Sequence, residues 1–385
     1  MKRLKILIYF VLLIAGLNNI VLGASDKDRQ MKEKIGQMLM IGFKGTEIKP
    51  DEAITKAIVA QQIGGVVLFD YDFPTKTYDH NIKNPEQLKH LTAQLQGYAK
   101  NNLPLIIAID YEGGKVNRLK ESYGFPKTLS AAEFAKLPEA DAVQLANQMA
   151  QTLQDAGINL NFAPVVDVNV DPESPAIGKI GRSFSAQPDE VAKYASIFSQ
   201  AFKSHGILCS YKHFPGHGSA NGDTHEGFVD VTQTWKEYEL DPYKKLLSDP
   251  ASCGMIMSAH VKHYGLESKG YPATLSKSIL TDLLREKLQF KGVIATDDMQ
   301  MKAISDVYGL HEAIRMSINA GADIIIFGNQ LAPVPQDPAE IIEMIYQDVK
   351  SGQIKEARIN EAYQRIVALK QPLIVTGKQH AQAAV

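Results

Sequence analysis

The sequence predicts an α/β protein folded as a single (β/α)8 TIM-type barrel. Three observations carry that reading. Eight short, β-rich apolar runs recur along the chain, helical stretches with glycine at their ends separate them, and polar residues stand at the C-terminal ends of the runs. Alternating strand and helix is the pattern of a parallel sheet covered by helices. A closed barrel brings all the strand ends to one face, where such barrels keep their chemistry, whereas an open sheet would spread them along an edge. No G-x-G-x-x-G follows the first strand, as a doubly wound nucleotide-binding sheet would have it.

The chain has 385 residues, 41 Lys+Arg against 43 Asp+Glu, and 45% apolar residues. That near balance, with no basic run beyond the extreme N-terminus, argues against a nucleic-acid partner. The 15 Tyr and 14 Phe, with abundant Ile, Leu and Val, exclude a disordered chain. The length suits two average domains or one large barrel.

Lys2, Arg3 and Lys5 precede an apolar stretch over 6–17, and Val21-Leu22-Gly23 then resembles a small-residue cleavage site. Residues 1–23 are therefore read as a secretory signal peptide that sends the protein to the periplasm or outside the cell. The apolar stretch falls short of the ~20 residues a bilayer span needs, and no Cys follows it directly to carry a lipid, so no stable membrane anchor is expected. Cleavage removes three basic and no acidic residues, leaving the mature chain mildly acidic. Cys209 and Cys253 each lie inside an apolar run and read as two core thiols rather than a disulfide, because a domain this large needs no staple.

The predicted strands are 38–43, 65–69, 105–110, 159–167, 207–214, 254–261, 292–297 and 322–328. Several, such as Leu105-Ile106-Ile107-Ala108-Ile109, are apolar throughout, as strands buried on both faces must be. Between them, 138–156 opens with Pro138, carries Val143, Leu145, Ala146, Met149, Ala150 and Leu153 at helical spacing, and stops at Gly157. The 190–205 segment repeats the pattern with Val191, Ala195, Phe198 and Phe202 and stops at Gly206. The 358–370 segment reads as a last helix packed on the barrel. The barrel thus spans 24–370, and 371–385 is a tail without a pattern.

Asp110, Asp167, Lys212 with His213, His260 and Asp297 all fall at or just past predicted strand ends. Three segments concentrate the chemistry. Lys212-His213-Phe214-Pro215-Gly216-His217-Gly218 leads to Asp223-Thr224-His225. His213 and His217 have the spacing of a helical zinc pair, but Pro215 and the glycines prevent a helix, which disfavours a metal site. The segment reads instead as a strand end entering a Gly-rich loop that holds Asp223 beside His225. A carboxylate there orients the imidazole and raises its basicity, giving a group that donates and accepts a proton near neutral pH. The second segment, Thr296-Asp297-Asp298, places two acids straight after a buried strand. Asp297 is assigned to the cavity and Asp298 to structure or helix capping. The third, Asp110 to Arg118, has Gly113-Gly114 for a tight turn close to a ligand.

These segments, with Asn161 to Asn169, Gly181-Arg182-Ser183-Phe184 and Ser258-Ala259-His260-Val261, resemble in order the signatures of glycoside hydrolase family 3, most closely its β-N-acetylglucosaminidase branch. The resemblance covers about 31–370 and implies a retaining exo-β-N-acetylglucosaminidase working through a covalent glycosyl-enzyme. It implies Asp297 as nucleophile and His225, assisted by Asp223, as acid/base. It further implies that Asp110, Arg118, Arg182, Lys212 and His213 bind sugar hydroxyls, and that neither metal nor organic cofactor is needed. The expected partner is a small oligosaccharide from cell-wall muropeptides or chitin, bound by a monomer. Two departures stand out: Tyr111 replaces the family's Gln or Glu and Lys115 its Arg, both expected at the cavity rim. The family's β-glucosidases take a Glu acid/base from a second domain, and the His-containing loop points to a single barrel instead. Competing readings are a phosphorylase on the same fold, since a His acid/base would admit phosphate, an exported sugar-binding barrel without turnover, and a metal-dependent barrel hydrolase.

Overall fold

The computed structural model describes residues 26–99, 103–331 and 334–383. Eight parallel strands close into a barrel: β1 (Leu39–Gly42), β2 (Gly65–Leu68), β3 (Ile106–Ile109), β4 (Leu160–Asn161), β5 (Leu208–Phe214), β6 (Met255–Ser258), β7 (Val293–Asp298) and β8 (Ile324–Phe327). Each strand pairs with its sequence neighbours, and β1 closes the ring by pairing with β8 as well as β2, Leu39 opposite Ile325 and Met40 opposite Gly65. The (β/α)8 expectation holds, and the strands fall in the predicted runs, with β7 extending one residue further. Leu39, Val66, Ile107, Leu160, Tyr211, Ile256, Ile294 and Ile325, one from each strand, are fully buried. Glycine permits the seam between β1 and β8: a Cβ on Gly42 would lie 1.7 Å from the carbonyl oxygen of Gly328.

A helix follows every strand: Ala53–Val59, Pro85–Tyr98, Glu139–Asp155, Pro188–Ser204, Asp241–Leu246, the π-helical Ser278–Lys287, Leu310–Ala320 and Pro338–Lys350. The two helices predicted in detail lie within two residues of their expected ends. Gly157 and Gly206 follow them in the left-handed conformation, with φ 72° and 70°, the geometry that stops a helix at glycine. β4 is shorter than its run because Pro164 has no N–H for the ladder, and beyond it only Val165 bridges to Lys212.

Two sequence expectations need correction. Cys209 and Cys253 form a disulfide, their Cα atoms 5.0 Å apart. Cys209 lies in β5 and Cys253 two residues before β6, and the pairing of these adjacent strands brings together residues that the sequence alone could not place side by side. The last helix runs Glu356–Ala383, continuing through Pro372 where no pattern was read. It is fastened beneath the barrel. Arg358 and Arg365, with Arg285, converge on the buried Asp323 at the start of β8. Buried Lys370 donates to Gln37 Oε1 at 2.8 Å and to the Gly64 carbonyl at 2.7 Å. The signal-peptide assignment, 1–23, lies outside the described residues. No helix among those described is long and apolar enough to cross a membrane.

Candidate active site

A cavity of about 200 Å³ opens at the C-terminal mouth of the barrel. All eight site residues expected from the sequence line it: Asp110, Arg118, Arg182, Lys212, His213, Asp223, His225 and Asp297. Phe69, Phe162, Ile180, Met257 and Ile326 supply apolar wall between them.

One wall is a lattice of charges. Lys212, on β5, donates to Asp110 Oδ1 and lies 2.7 Å from both that atom and Glu112 Oε1. Arg182 grips Glu112 with two parallel hydrogen bonds of 2.7 and 2.8 Å, and Arg118 approaches Asp110 at 3.5 Å. Burial opposes ionisation of Asp110 and Glu112, but the cations outweigh it and hold both carboxyls below their usual range. Asp70, fully buried at the end of β2, extends the lattice through Lys120 at 2.5 Å and the Tyr123 hydroxyl at 3.1 Å. A wall of fixed donors and acceptors of this kind suits a polyhydroxylated ligand.

Fully buried Asp167 supports two lining residues, His213 and His217, from behind. Its Oδ2 accepts from His213 Nδ1 at 2.7 Å, and its Oδ1 accepts from the amides of His213 and His217 at 3.1 and 2.8 Å. Arg182 Nη2 faces His213 Nε2 at 3.3 Å. Arginine only donates, so Nε2 is the acceptor and Nδ1 carries the proton. Burial, then Arg182 and Lys212, push His213 well below its usual value, and it is neutral. His213 and His217 stand with ring centroids 5.8 Å apart, and Asp167 occupies the first ring's Nδ1. His260 stays off the cavity, held between Thr274 and the Asp298 carbonyl.

The same cavity holds the reactive candidates. Asp297 accepts from the Asp298 amide at 2.8 Å. Burial pushes its pKa up, but His260, His213 and His225 outweigh that, leaving it below its ordinary value and ionised. Its neighbour Asp298 is pushed up to about 6 by burial, and its Oδ1 accepts from the Gln300 amide at 3.0 Å. Both adjacent acids line the cavity, Asp297 held below and Asp298 pushed above the ordinary carboxyl value. Asp223 Oδ1 accepts from both the amide and Nδ1 of His225, at 2.9 and 2.8 Å. Partial burial disfavours the imidazolium, yet Asp223 and the charge of Asp297 prevail and raise His225 above its ordinary value. With Nδ1 committed to Asp223, Nε2 is the ring nitrogen left for another partner.

Glu112 and Asp70, to which the sequence reading gave no role, and Asp167, which it placed only at a strand end, support residues that line the cavity. The signal for Glu112 was present. In an extended chain alternate residues share a face, so Asp110 and Glu112 point together while Tyr111 points away. Tyr111 is fully buried and absent from the cavity lining, and Lys115 is exposed. The two departures from the family pattern therefore leave the cavity wall intact, contrary to expectation.

The comparison that decides kinship is with the Glycosyl hydrolase family 3 N terminal domain, whose model matches residues 30–369. The chain belongs to glycoside hydrolase family 3. Among its relatives, beta-hexosaminidase A of Pseudoalteromonas piscicida is 35% identical over 327 residues, covering 76% of this chain and 53% of that protein. Beta-hexosaminidase LpqI of Mycobacterium tuberculosis is 31% identical over 351 residues, covering 89% and 83%. A solved family 3 β-N-acetylglucosaminidase from Paenibacillus is 32% identical with a TM-score of 0.79, covering 89% of this chain and 62% of that one. The chain thus spans little more than half of the Pseudoalteromonas protein and most of the mycobacterial one. The TM-score shows that the Paenibacillus enzyme and this chain share the fold.

Proposed function

We propose that this family 3 glycoside hydrolase is a retaining exo-β-N-acetylglucosaminidase. The observation that carries the reading is the pairing, in one cavity, of an ionised Asp297 with a His225 whose proton is held by Asp223. The names of the relatives, beta-hexosaminidases and a β-N-acetylglucosaminidase, support it. Asp297 attacks the anomeric carbon while His225 Nε2 gives its proton to the departing oxygen. Water then surrenders a proton to His225 and displaces Asp297, so the sugar leaves with its configuration retained. Asp110, Lys212, Arg182 and Arg118 take the hydroxyls of a single terminal sugar, for which a cavity of about 200 Å³ is suited, while Glu112 holds Lys212 and Arg182 in place from behind the lining.

Hydrolysis of 4-nitrophenyl N-acetyl-β-glucosaminide, with proton NMR of the first-formed anomer, tests the reading. Release of nitrophenol with the β-anomer first is expected. No release, or the α-anomer first, rejects it. Exported cell-wall or chitin fragments are the substrate class we propose, acted on by a monomer in the periplasm or outside the cell. The Cys209–Cys253 bond supports export, since disulfides persist in oxidising compartments. N-terminal sequencing of the mature protein should begin near Ala24, and an intact Met1 would reject export through that segment.

A further inference from the structure

The charged and ionisable groups that line the cavity follow β3, β4, β5 and β7, and one polar side chain stands apart from them. Gln330, three residues past β8, lines the cavity and is only 5% exposed. The rest of the lining from β8 and β2 is apolar: Ile326, Val67 and Phe69. Among the described residues the Gln330 side-chain amide has no hydrogen-bond partner. An amide held largely out of solvent with no partner is costly, and in a residue that lines a cavity a ligand is the explanation for it. Its place is fixed from three sides. Asn329, in the left-handed conformation with φ 52°, donates from its backbone amide to Gln300 Oε1 at 2.6 Å and from Nδ2 to the Gly42 carbonyl at 3.0 Å. The Gln330 carbonyl accepts from the Phe73 amide at 3.3 Å. Gln300 follows β7, Gly42 ends β1 and Phe73 follows β2, so the neighbouring strands hold Gln330 ready before any ligand arrives.

With C1 at Asp297 and the ring hydroxyls on the charge lattice, the terminal sugar has two larger groups left to place, the acetamido and the hydroxymethyl. The corner at Gln330 is narrow. A Cβ on Gly328 would lie 2.5 Å from Asp298 Oδ2 and 3.2 Å from Phe69 Cζ, so the ring edge of Phe69 closes in on the end of β8. Half the barrel away, the segments after β3 and β4 bring Val116, Ala176 and Ile180 into the lining, and Arg182 donates to the Ala176 carbonyl at 3.0 Å. That wall leaves the bulkier acetamido a place of its own. We propose that Gln330 is a further substrate-binding residue, its amide paired with the hydroxyl of the sugar's hydroxymethyl arm while Val67, Phe69 and Ile326 pack the methylene. The assignment rests on the glycosidase reading above and adds to it a preference for terminal sugars that carry this hydroxyl.

The test compares 4-nitrophenyl N-acetyl-β-glucosaminide with its 6-deoxy analogue, which lacks only that hydroxyl. Gln330→Met keeps the side-chain length and removes the amide. The ratio of kcat/KM for the parent to that for the 6-deoxy glycoside should fall roughly threefold to tenfold in Gln330→Met, the range of one hydrogen bond between neutral groups. Both values come from one enzyme sample, so the ratio does not depend on how much of the variant is folded, and Gln330→Ala should shift it by a similar factor. An unchanged ratio, with both substrates losing equally or neither losing at all, would overturn the assignment; equal losses would place the amide on another group, the acetamido included. Cleavage of the parent by the wild type with an unchanged ratio in the variants defeats the role of Gln330 alone. Failure of the wild type to cleave the parent defeats the glycosidase reading and this assignment together.

Discussion

His213 and His225 each present Nδ1 to a carboxylate, yet their surroundings tune them in opposite directions. His213 is buried against Arg182 and Lys212, which penalise a third positive charge, whereas His225 faces Asp297 and Asp223, which reward one. Only His225 holds a proton to give near neutral pH. Activity should therefore fall as pH rises through the raised pKa of His225, because the acid is lost above it. Asp223→Ala removes the partner that raises this pKa, so the alkaline limb of kcat/KM should move to lower pH. A pH profile with an unmoved limb would reassign the acid. His225→Ala should slow cleavage of a disaccharide by ~10²–10⁴-fold and of a nitrophenyl glycoside much less, since nitrophenolate leaves without protonation. Asp297→Asn should abolish nearly all turnover, by ~10⁴-fold or more, in a protein that still melts cooperatively. A 2-fluoro sugar should label Asp297 in the wild type, and a label on Asp298 would refute the assignment.

At the scale of elements, the loop after β5 is clamped between two supports. Buried Asp167 holds the amides of His213 and His217 on one side. From below, Trp235 Nε1 donates to the Pro215 carbonyl at 3.2 Å, and a Cβ on Gly216 would lie 2.8 Å from Glu239 Oε2. Glu239 is fully buried, and burial pushes its pKa up to about 7. An unfolded chain ionises this carboxyl near its ordinary value, so the folded protein binds the extra proton between about 4.5 and 7 and loses stability as pH rises through that window. Glu239→Gln, which cannot ionise, should match the wild type at pH 4 and exceed it at pH 8 by roughly 3 kcal/mol. Thermal melts at the two pH values check this, and a variant equally affected at both would show that Glu239 is charged in place. Glu239 was not legible in the sequence, because nothing local marks a carboxyl that is defined by the loop lying over it. The Lys212–His225 block was legible, because Pro215 and the glycines exclude a helix and leave its charged residues a reason only in a site. Glu112 lay between, marked by its alternation with Asp110 and passed over for want of a visible partner.

For the whole molecule, the barrel was readable because eight apolar runs, each bounded by turn residues, leave few other ways to bury them. Contacts between distant segments were not. The disulfide depends on β5 and β6 being neighbours, a fact of topology that no spacing of two cysteines reveals. That bond closes a loop of 44 residues around the element carrying Lys212, His213, Asp223 and His225. Restricting so long a loop in the unfolded chain stabilises the folded one by up to about 4 kcal/mol on the chain-entropy account. Both cysteines lie near the entry of their strands, away from the cavity mouth, and neither lines the cavity. Replacing both with serine should therefore lower Tm and the midpoint of urea unfolding while leaving kcat and KM at moderate temperature within about twofold of the wild type, since the strands remain paired without the bond. Reductant should reproduce the shift in the wild type and have no effect on the double variant. A loss of activity in step with the loss of stability would mean that the bond sets the register of β5 against β6, and with it the position of Lys212 and His213, rather than merely restricting the unfolded chain.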